Sequence, residues 1–230
     1  MRFPGFQPED FLSFMDSDQF ALVEYVRESL HPRLRDLGLE LAQALGDQVR
    51  TEFRAQLRSG RWYKSPWGTW TSLILAKEKT RSDNRWPRLS VFVDQNECLV
   101  GFMQNVWRRR WKNLVKKPEG LIQAMDKAAS GRPKLHLALA HWTKNDEQEW
   151  ERQTSRFKTA AELLAAAAQW GQDFVVVGKV YPFPQQVELL TSEAFAGDAL
   201  TILRKAWPVY RCALGQTEHR EGRDGVHGDG

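Results

Sequence analysis

The chain has 230 residues, a length typical of one domain, and its 42% hydrophobic and 27% charged residues are ordinary globular values. No apolar run approaches the ~20 residues of a membrane-spanning helix, and the start lacks the apolar stretch of a signal peptide. The sequence therefore predicts a cytoplasmic protein with no membrane partner. The two cysteines, Cys98 and Cys212, lie in apolar segments without metal-ligand spacing, which is typical of buried thiols in a reducing compartment.

The net charge of +4 is unevenly distributed along the chain. Residues 50–134 hold 19 Lys and Arg against 7 Asp and Glu, whereas the rest of the chain is acidic. The same window holds six of the ten tryptophans, namely Trp62, Trp67, Trp70, Trp86, Trp107 and Trp111. This basic, Trp-rich window is the most informative feature for function, because charge asymmetry of this kind points to an anionic partner.

Helices are predicted at the start of the chain. Pro8-Glu9-Asp10 opens the first, with proline and two acids at the positive end of the helix dipole. A second helix runs from about Asp18, is broken or kinked by Pro32, and continues at helical spacing to a stop at Gly46.

The period then changes from 3.6 to 2. Residues 49–57 alternate between apolar and polar, which predicts a half-buried strand with Phe53 facing the core and Arg54 facing solvent. Residues 59–60 end this strand, a loop rich in Trp and Pro follows, and a second strand covers residues 69–76.

The remaining elements complete an α+β pattern, with hairpins rather than strict alternation of strands and helices. We predict strands at 89–93, 98–102, 135–141 and 174–180, helices at 105–116, 118–129, 160–170 and 197–214, and a solvated, partly helical stretch at 144–158. The predicted fold is a single, mostly antiparallel sheet of about six strands packed with helices from both ends of the chain. Residues 1–214 form one domain, and residues 215–230 form a disordered tail.

The motifs of phosphate-binding loops, dinucleotide folds, zinc proteases, dithiol enzymes and α/β-hydrolases are all absent. The sequence therefore predicts no cofactor and offers no catalytic residue. His136 and His141 share a predicted strand at a spacing of five, which puts them on opposite faces and argues against a shared metal. No metal site is predicted.

Residues 61–70 interleave cations with aromatic rings, a composition suited to stacking bases while holding phosphates. The candidate ligand-binding residues in this segment are Arg61, Trp62, Lys64, Trp67 and Trp70. The same composition would also fit a loop whose tryptophans cover the sheet.

A second group of candidates falls on the predicted helix at 105–116. Arg108, Arg109, Arg110 and Lys112 accompany two tryptophans that lie four residues apart and therefore share one helix face. The cations suit a nucleic-acid backbone. A surface helix docked by two core tryptophans would have the same pattern.

Short motifs in chain order resemble an uncharacterised bacterial family, described as domain of unknown function 1054 or uncharacterised protein family 0637. They are Gly5-Phe6, Glu9-Asp10-Phe11, Pro32-Arg33-Leu34, Leu37-Gly38, Thr69-Trp70, Pro87, Ala161-Glu162-Leu163 and Tyr210-Arg211. The resemblance covers about residues 5–214, whereas residues 143–158 and the tail depart from the pattern. It implies an α+β fold and no established activity, so no catalytic residue is carried over.

The leading hypothesis is a module that binds a polyanion, nucleic acid above all, through the basic, Trp-rich window. A small-molecule binder or enzyme with a Trp-lined pocket, and an Arg or Lys for an anionic ligand, remains open. A protein–protein adaptor remains open too, since exposed Trp and Arg are favoured interface anchors. The direction in which the tryptophans point distinguishes the three.

Overall fold

A computed structural model of the chain describes residues 3–16, 18–62, 65–76, 87–106, 115, 118–144, 150–169 and 174–215. Seven strands form one antiparallel sheet in the order β1-β2-β3-β4-β7-β5-β6. They are β1 (Phe53–Trp62), β2 (Ser65–Leu75), β3 (Arg88–Val93), β4 (Glu97–Asn105), β5 (His136–Lys144), β6 (Trp150–Phe157) and β7 (Phe174–Pro182). The α+β class and the single antiparallel sheet are confirmed, with seven strands rather than about six.

Helices from both ends of the chain accompany this sheet. They are α1 (Glu9–Leu12), α2 (Gln19–Tyr25), α3 (His31–Val49), α4 (Glu119–Ala129), α5 (Ala160–Gln169), α6 (Val187–Leu190) and α7 (Ala194–Ala213), with a 3₁₀ turn at Ser13–Met15. Two of them begin with side-chain caps. Asp18 accepts the N–H groups of Phe20 and Ala21 ahead of α2, and Thr159 and Glu162 cap each other's N–H groups at α5.

Of the predicted break or kink at Pro32, the break is wrong, because the chain stays helical from Gln19 to Val49. A π-helical turn, Val26–Leu30, lies directly before α3 and links it to α2. Pro32 then falls in the first turn of α3, where its missing N–H costs least. The helix also passes the predicted stop at Gly46 and ends where Arg50 adopts a left-handed conformation with φ of 50°.

The principal core lies between the helices and one face of the sheet, which we call the helix-covered face. Helix α7 is buried along most of its length, including Phe195, Ala199, Leu203 and Tyr210. The Leu75 backbone N–H donates to the Tyr210 hydroxyl at 3.2 Å, which ties α7 to the end of β2. Next to this contact, Phe53 packs edge-on against Trp207, with ring centroids 5.3 Å apart.

The N-terminal segment is fixed by a buried carboxylate. Asp10 accepts the Gln7 backbone N–H at 2.8 Å, the Tyr25 hydroxyl at 3.0 Å and the Arg33 guanidinium at 2.7 Å. Burial raises the pKa of Asp10, and these donors partly offset that effect by favouring the charged form. The contacts join α1, α2 and α3 at one point.

Two further expectations are corrected by the strands. Residues 150–157, expected to be solvated and partly helical, form β6, an edge strand of the sheet. Its side chains from Gln153 to Arg156 are all exposed. Strand β1 begins at Phe53 rather than at residue 49, although Phe53 faces the core and Arg54 faces solvent as predicted. The predicted helix at 105–116 begins on Asn105, which ends β4, and its residues 107–114 lie outside the described residues.

No helix among the described residues is long and apolar enough to cross a bilayer. The tail predicted at 215–230 lies outside the described part of the chain, apart from Gly215. Its disorder stays a prediction.

Candidate functional site

The second face of the sheet, opposite the helix-covered face, has buried side chains of its own. Side chains on this face alternate along each strand with those of the principal core. They form a separate apolar cluster to which no described helix contributes, made of Trp70, Phe92, Leu99, Met103, Ala138, Ala140 and Val176. Each of these side chains is buried.

Arg88 opens β3 within this second face and is only 7% exposed. Its guanidinium lies 4.9 Å from the ring centroid of Trp70 and 5.4 Å from that of Phe174. The hydroxyls of Ser72 and Ser90, which are opposite each other on β2 and β3, are 3.1 Å apart. A buried guanidinium over two aromatic faces gains cation–π energy that a lysine would match poorly.

Three arginines lie in one row across the sheet on this face. Arg88 pairs with Met103, and the row continues through Val176 and Ala138 to Arg156 on β6. In the other direction, the register of β2 and β3 carries the row through Ile74 to Arg54 on β1. At ~4.8 Å per strand the row is about 29 Å long, with Arg54 and Arg156 exposed at its two ends.

His136 lies beside the β6 end of this arginine row. Burial lowers the pKa of His136, and the positive charges of Arg156 and Lys134 lower it further. Lys134 and Arg156 are exposed, and within the described residues no carboxylate forms a salt bridge with any of the three. We call these three residues the basic cluster. It concentrates positive charge that the described chain does not neutralise.

The sequence-predicted residues fall into two sets. Arg61 and Trp62 lie in β1, and Trp67 and Trp70 lie in β2, so this segment forms the end of a hairpin rather than a loop. Trp70 is 2% exposed, which leaves no ring face on which a base could stack. The other candidates, Lys64, Arg108, Arg109, Arg110 and Lys112, lie outside the described residues.

The sequence did not predict that Arg88, His136 and Arg156 lie on one face of the sheet. A signal for Arg88 was present, because a single arginine opens the otherwise apolar run that continues as Leu-Ser-Val-Phe-Val. Such a charge on a buried strand demands a compensating contact. The partners Trp70 and Phe174 are 104 positions apart in the chain, so no local spacing reveals them.

Comparison with known proteins adds no family to this description. No protein-family model matches the chain, and no curated protein matches it significantly. The resemblance to the uncharacterised bacterial family stays a prediction.

Proposed function

We propose that this protein binds a polyanion, nucleic acid above all, through the exposed basic residues at the edges of the second face and through the basic, Trp-rich window. The observation that carries the proposal is the basic cluster of Lys134, His136 and Arg156, which has no described salt bridge. The positive charges of Lys134 and Arg156 oppose protonation of His136, and a phosphate placed among the three residues would relieve that repulsion.

The arginine row gives the proposed interface a direction. Arg54 and Arg156 are exposed at its ends, whereas Arg88 is buried at its centre and supports the sheet. A span of about 29 Å corresponds to roughly eight steps of duplex DNA at ~3.4 Å per step. Phosphate contacts of this kind supply affinity without reading sequence.

The test is fluorescence anisotropy with labelled single-stranded RNA and duplex DNA at low salt. We expect the double variant Lys134→Glu/Arg156→Glu to weaken binding about tenfold or more, since two contacts become repulsive. The matched control is the double variant Arg27→Glu/Arg35→Glu, at two exposed helical positions, which changes the net charge equally and should leave the affinity nearly unchanged. The triple reversal of Arg108, Arg109 and Arg110 to Glu tests the rest of the basic window.

Two results would remove the proposal. One is a protein that binds neither polymer at low salt. The other is an affinity that Arg27→Glu/Arg35→Glu lowers as much as Lys134→Glu/Arg156→Glu does, because binding would then follow net charge alone.

A second candidate function is the binding of a small anionic molecule near Arg88. The observation that favours it is the buried guanidinium stacked on Trp70 and Phe174, an arrangement that resembles the polar anchor of an aromatic pocket. Thermal-shift screening against mono- and dicarboxylates and phosphate monoesters tests it. Stabilisation that is retained in Arg88→Met would place the ligand elsewhere.

We place this function in the cytoplasm as part of the same proposal. Cys98 and Cys212 are both free thiols, and Cys98 is buried, which suits a reducing compartment. Fractionation of cells that express the tagged protein tests the location.

A further inference from the structure

Strand β1 forms one edge of the sheet and, within the described residues, pairs only with β2. The Ala76 N–H donates to the Glu52 carbonyl at 2.9 Å. In an antiparallel pair, bonded positions recur at every second residue. Phe53, Ala55 and Leu57 therefore direct their backbone N–H and C=O groups away from β2, toward the free edge. These groups form a template for a further strand.

An open groove runs beside this edge. Its volume is about 890 Å³, and its walls come from the C-terminal half of α3 and the start of β1, including Leu39, Ala42, Gln43, Gly46, Arg50 and Phe53. Leu39, on the wall of this groove, is 57% exposed. The helix and the strand approach closely at Gly38, where an added Cβ would lie 3.1 Å from the Cβ of Ala55.

We propose that a second copy of this chain pairs antiparallel at the β1 edge, with Ala55 opposite Ala55 of the second copy. This register places Phe53 opposite Leu57 and Glu52 opposite Arg58. Apolar residues then meet apolar residues, and an acid meets a base on each side of the twofold axis. Pairs of these kinds stabilise neighbouring antiparallel strands.

Neighbouring registers lack this complementarity. Moving the twofold axis by one residue along β1 places Arg54 opposite either Arg54 or Arg58 of the second copy. Like charges directly opposite each other destabilise a strand pair. The Ala55-centred register instead places Arg54 opposite the neutral Gln56. Strand β1 is therefore self-complementary in one register.

The twofold axis of this arrangement is perpendicular to the sheet. The outward backbone groups of Phe53, Ala55 and Leu57 would gain partners in three bonded residue pairs. Helix α3 of each copy would face the other across the joined edge, which would cover Leu39. The second faces of both sheets would continue as one surface, although the pairing itself does not depend on the proposed polyanion binding.

Sedimentation velocity over a wide concentration range tests the pairing through charge reversal. Glu52→Arg alone places two arginines opposite each other, and Arg58→Glu alone places two glutamates opposite each other. We expect each single variant to weaken dimerisation about tenfold or more, since two cross-strand pairs change from attractive to repulsive. An equimolar mixture of the two variants restores both charge pairs and should dimerise like the unaltered protein.

The mixture separates lost pairing from lost folding, because a misfolded variant cannot be rescued by its counterpart. Glu24→Arg and Arg204→Glu, at exposed helical positions, are the matched controls and should not alter dimerisation. A protein that stays monomeric, or a mixture that remains dissociated, overturns the proposal. If the monomeric variants still bind nucleic acid, the proposed function holds independently of the pairing.

Discussion

Two buried charges in this protein, Asp10 and Arg88, are stabilised by different kinds of neighbour. Asp10 is neutralised by the Arg33 guanidinium and two further donors, whereas Arg88 rests on the aromatic rings of Trp70 and Phe174. Both belong to the architecture. The charges available to a partner are the exposed ones, above all Arg156 and Lys134 beside His136.

The first prediction concerns the pH dependence of nucleic-acid binding. The pKa of His136 is lowered by burial and by the charges of Arg156 and Lys134, and its neighbour on β7 is the uncharged Gly178. A bound phosphate favours the protonated ring and would raise this pKa, so binding should strengthen as the pH falls from about 8 to about 6. Anisotropy titrations at both values measure the effect.

His136→Gln is the matched variant for this prediction. It should retain binding near pH 8 and lose most of the gain at the lower pH. An unchanged pH dependence in the variant would show that the titrating group lies elsewhere.

The second prediction concerns stability in alkali. Burial, together with the negative charge of Asp10, raises the pKa of Tyr25 to about 12, whereas an unfolded tyrosine titrates near 10. The stabilising contribution is complete below about pH 10 and is lost as the pH rises toward 12, because the unfolded chain releases its proton first. Urea unfolding at several pH values should show a smaller alkaline loss in Tyr25→Phe. Equal losses would argue that Tyr25 is not linked to Asp10 in solution.

At the scale of elements, the centre of the sheet depends on two glycines. Gly101 of β4 lies opposite Gly178 of β7. A Cβ on Gly178 would lie 2.3 Å from the Val100 carbonyl oxygen, and one on Gly101 would lie 2.4 Å from that of Val177. The strands approach closely because neither residue has a side chain.

Gly178→Ala should therefore destabilise the fold by about 1–3 kcal/mol or more, because backbone atoms rather than a flexible side chain must move. Gly197→Ala in α7 is the control, since nothing lies within 4 Å of an added Cβ there. That substitution should stabilise the protein by up to about 1 kcal/mol through helix propensity. Urea denaturation measures the stability of both variants. A stabilised Gly178→Ala variant together with a destabilised Gly197→Ala variant would contradict the register.

Sequence periodicity predicted the elements with one buried and one wet face, and it failed where both faces are wet. Helix α5 has a clear period, whereas β3 and β4, which are buried on both faces, were predicted from their apolar runs. Strand β6 has none, since residues 153–156 are all exposed at the sheet edge. The start of β1 was placed four residues early because the end of α3 happens to alternate. The continuous helix through Pro32 was not predicted, because the π-helical turn before it has no sequence signal.

The motifs behind the family resemblance lie largely in structural contacts. Asp10 and Arg33 form the buried ion pair, and Glu162 caps α5. These motifs therefore report on the fold and say little about a site. The surface itself was not predictable from spacing, because the row from Arg88 to Arg156 exists only after β7 has been placed between β4 and β5.

At the scale of the whole molecule, the uneven charge predicts how binding responds to salt. If several phosphates are neutralised together, log K should fall linearly with log salt by about 0.7 per phosphate for a single strand. Arg156→Gln should reduce this slope by about one phosphate while affecting all base sequences alike. Anisotropy titrations at a series of salt concentrations measure the slope. Binding that ignores salt would point to stacking rather than to charge.

The position of β7 between β4 and β5 also has a consequence for synthesis on the ribosome. Among the described strands, β5 and β6 join the rest of the sheet through β7, and α7, which fills the core, is made after all of them. A nascent chain that has emerged as far as β6 must hold two unjoined blocks of strands, and the part of the core that α7 fills is still open. It is in this interval, before β7 and α7 leave the exit tunnel, that the protein most needs a chaperone.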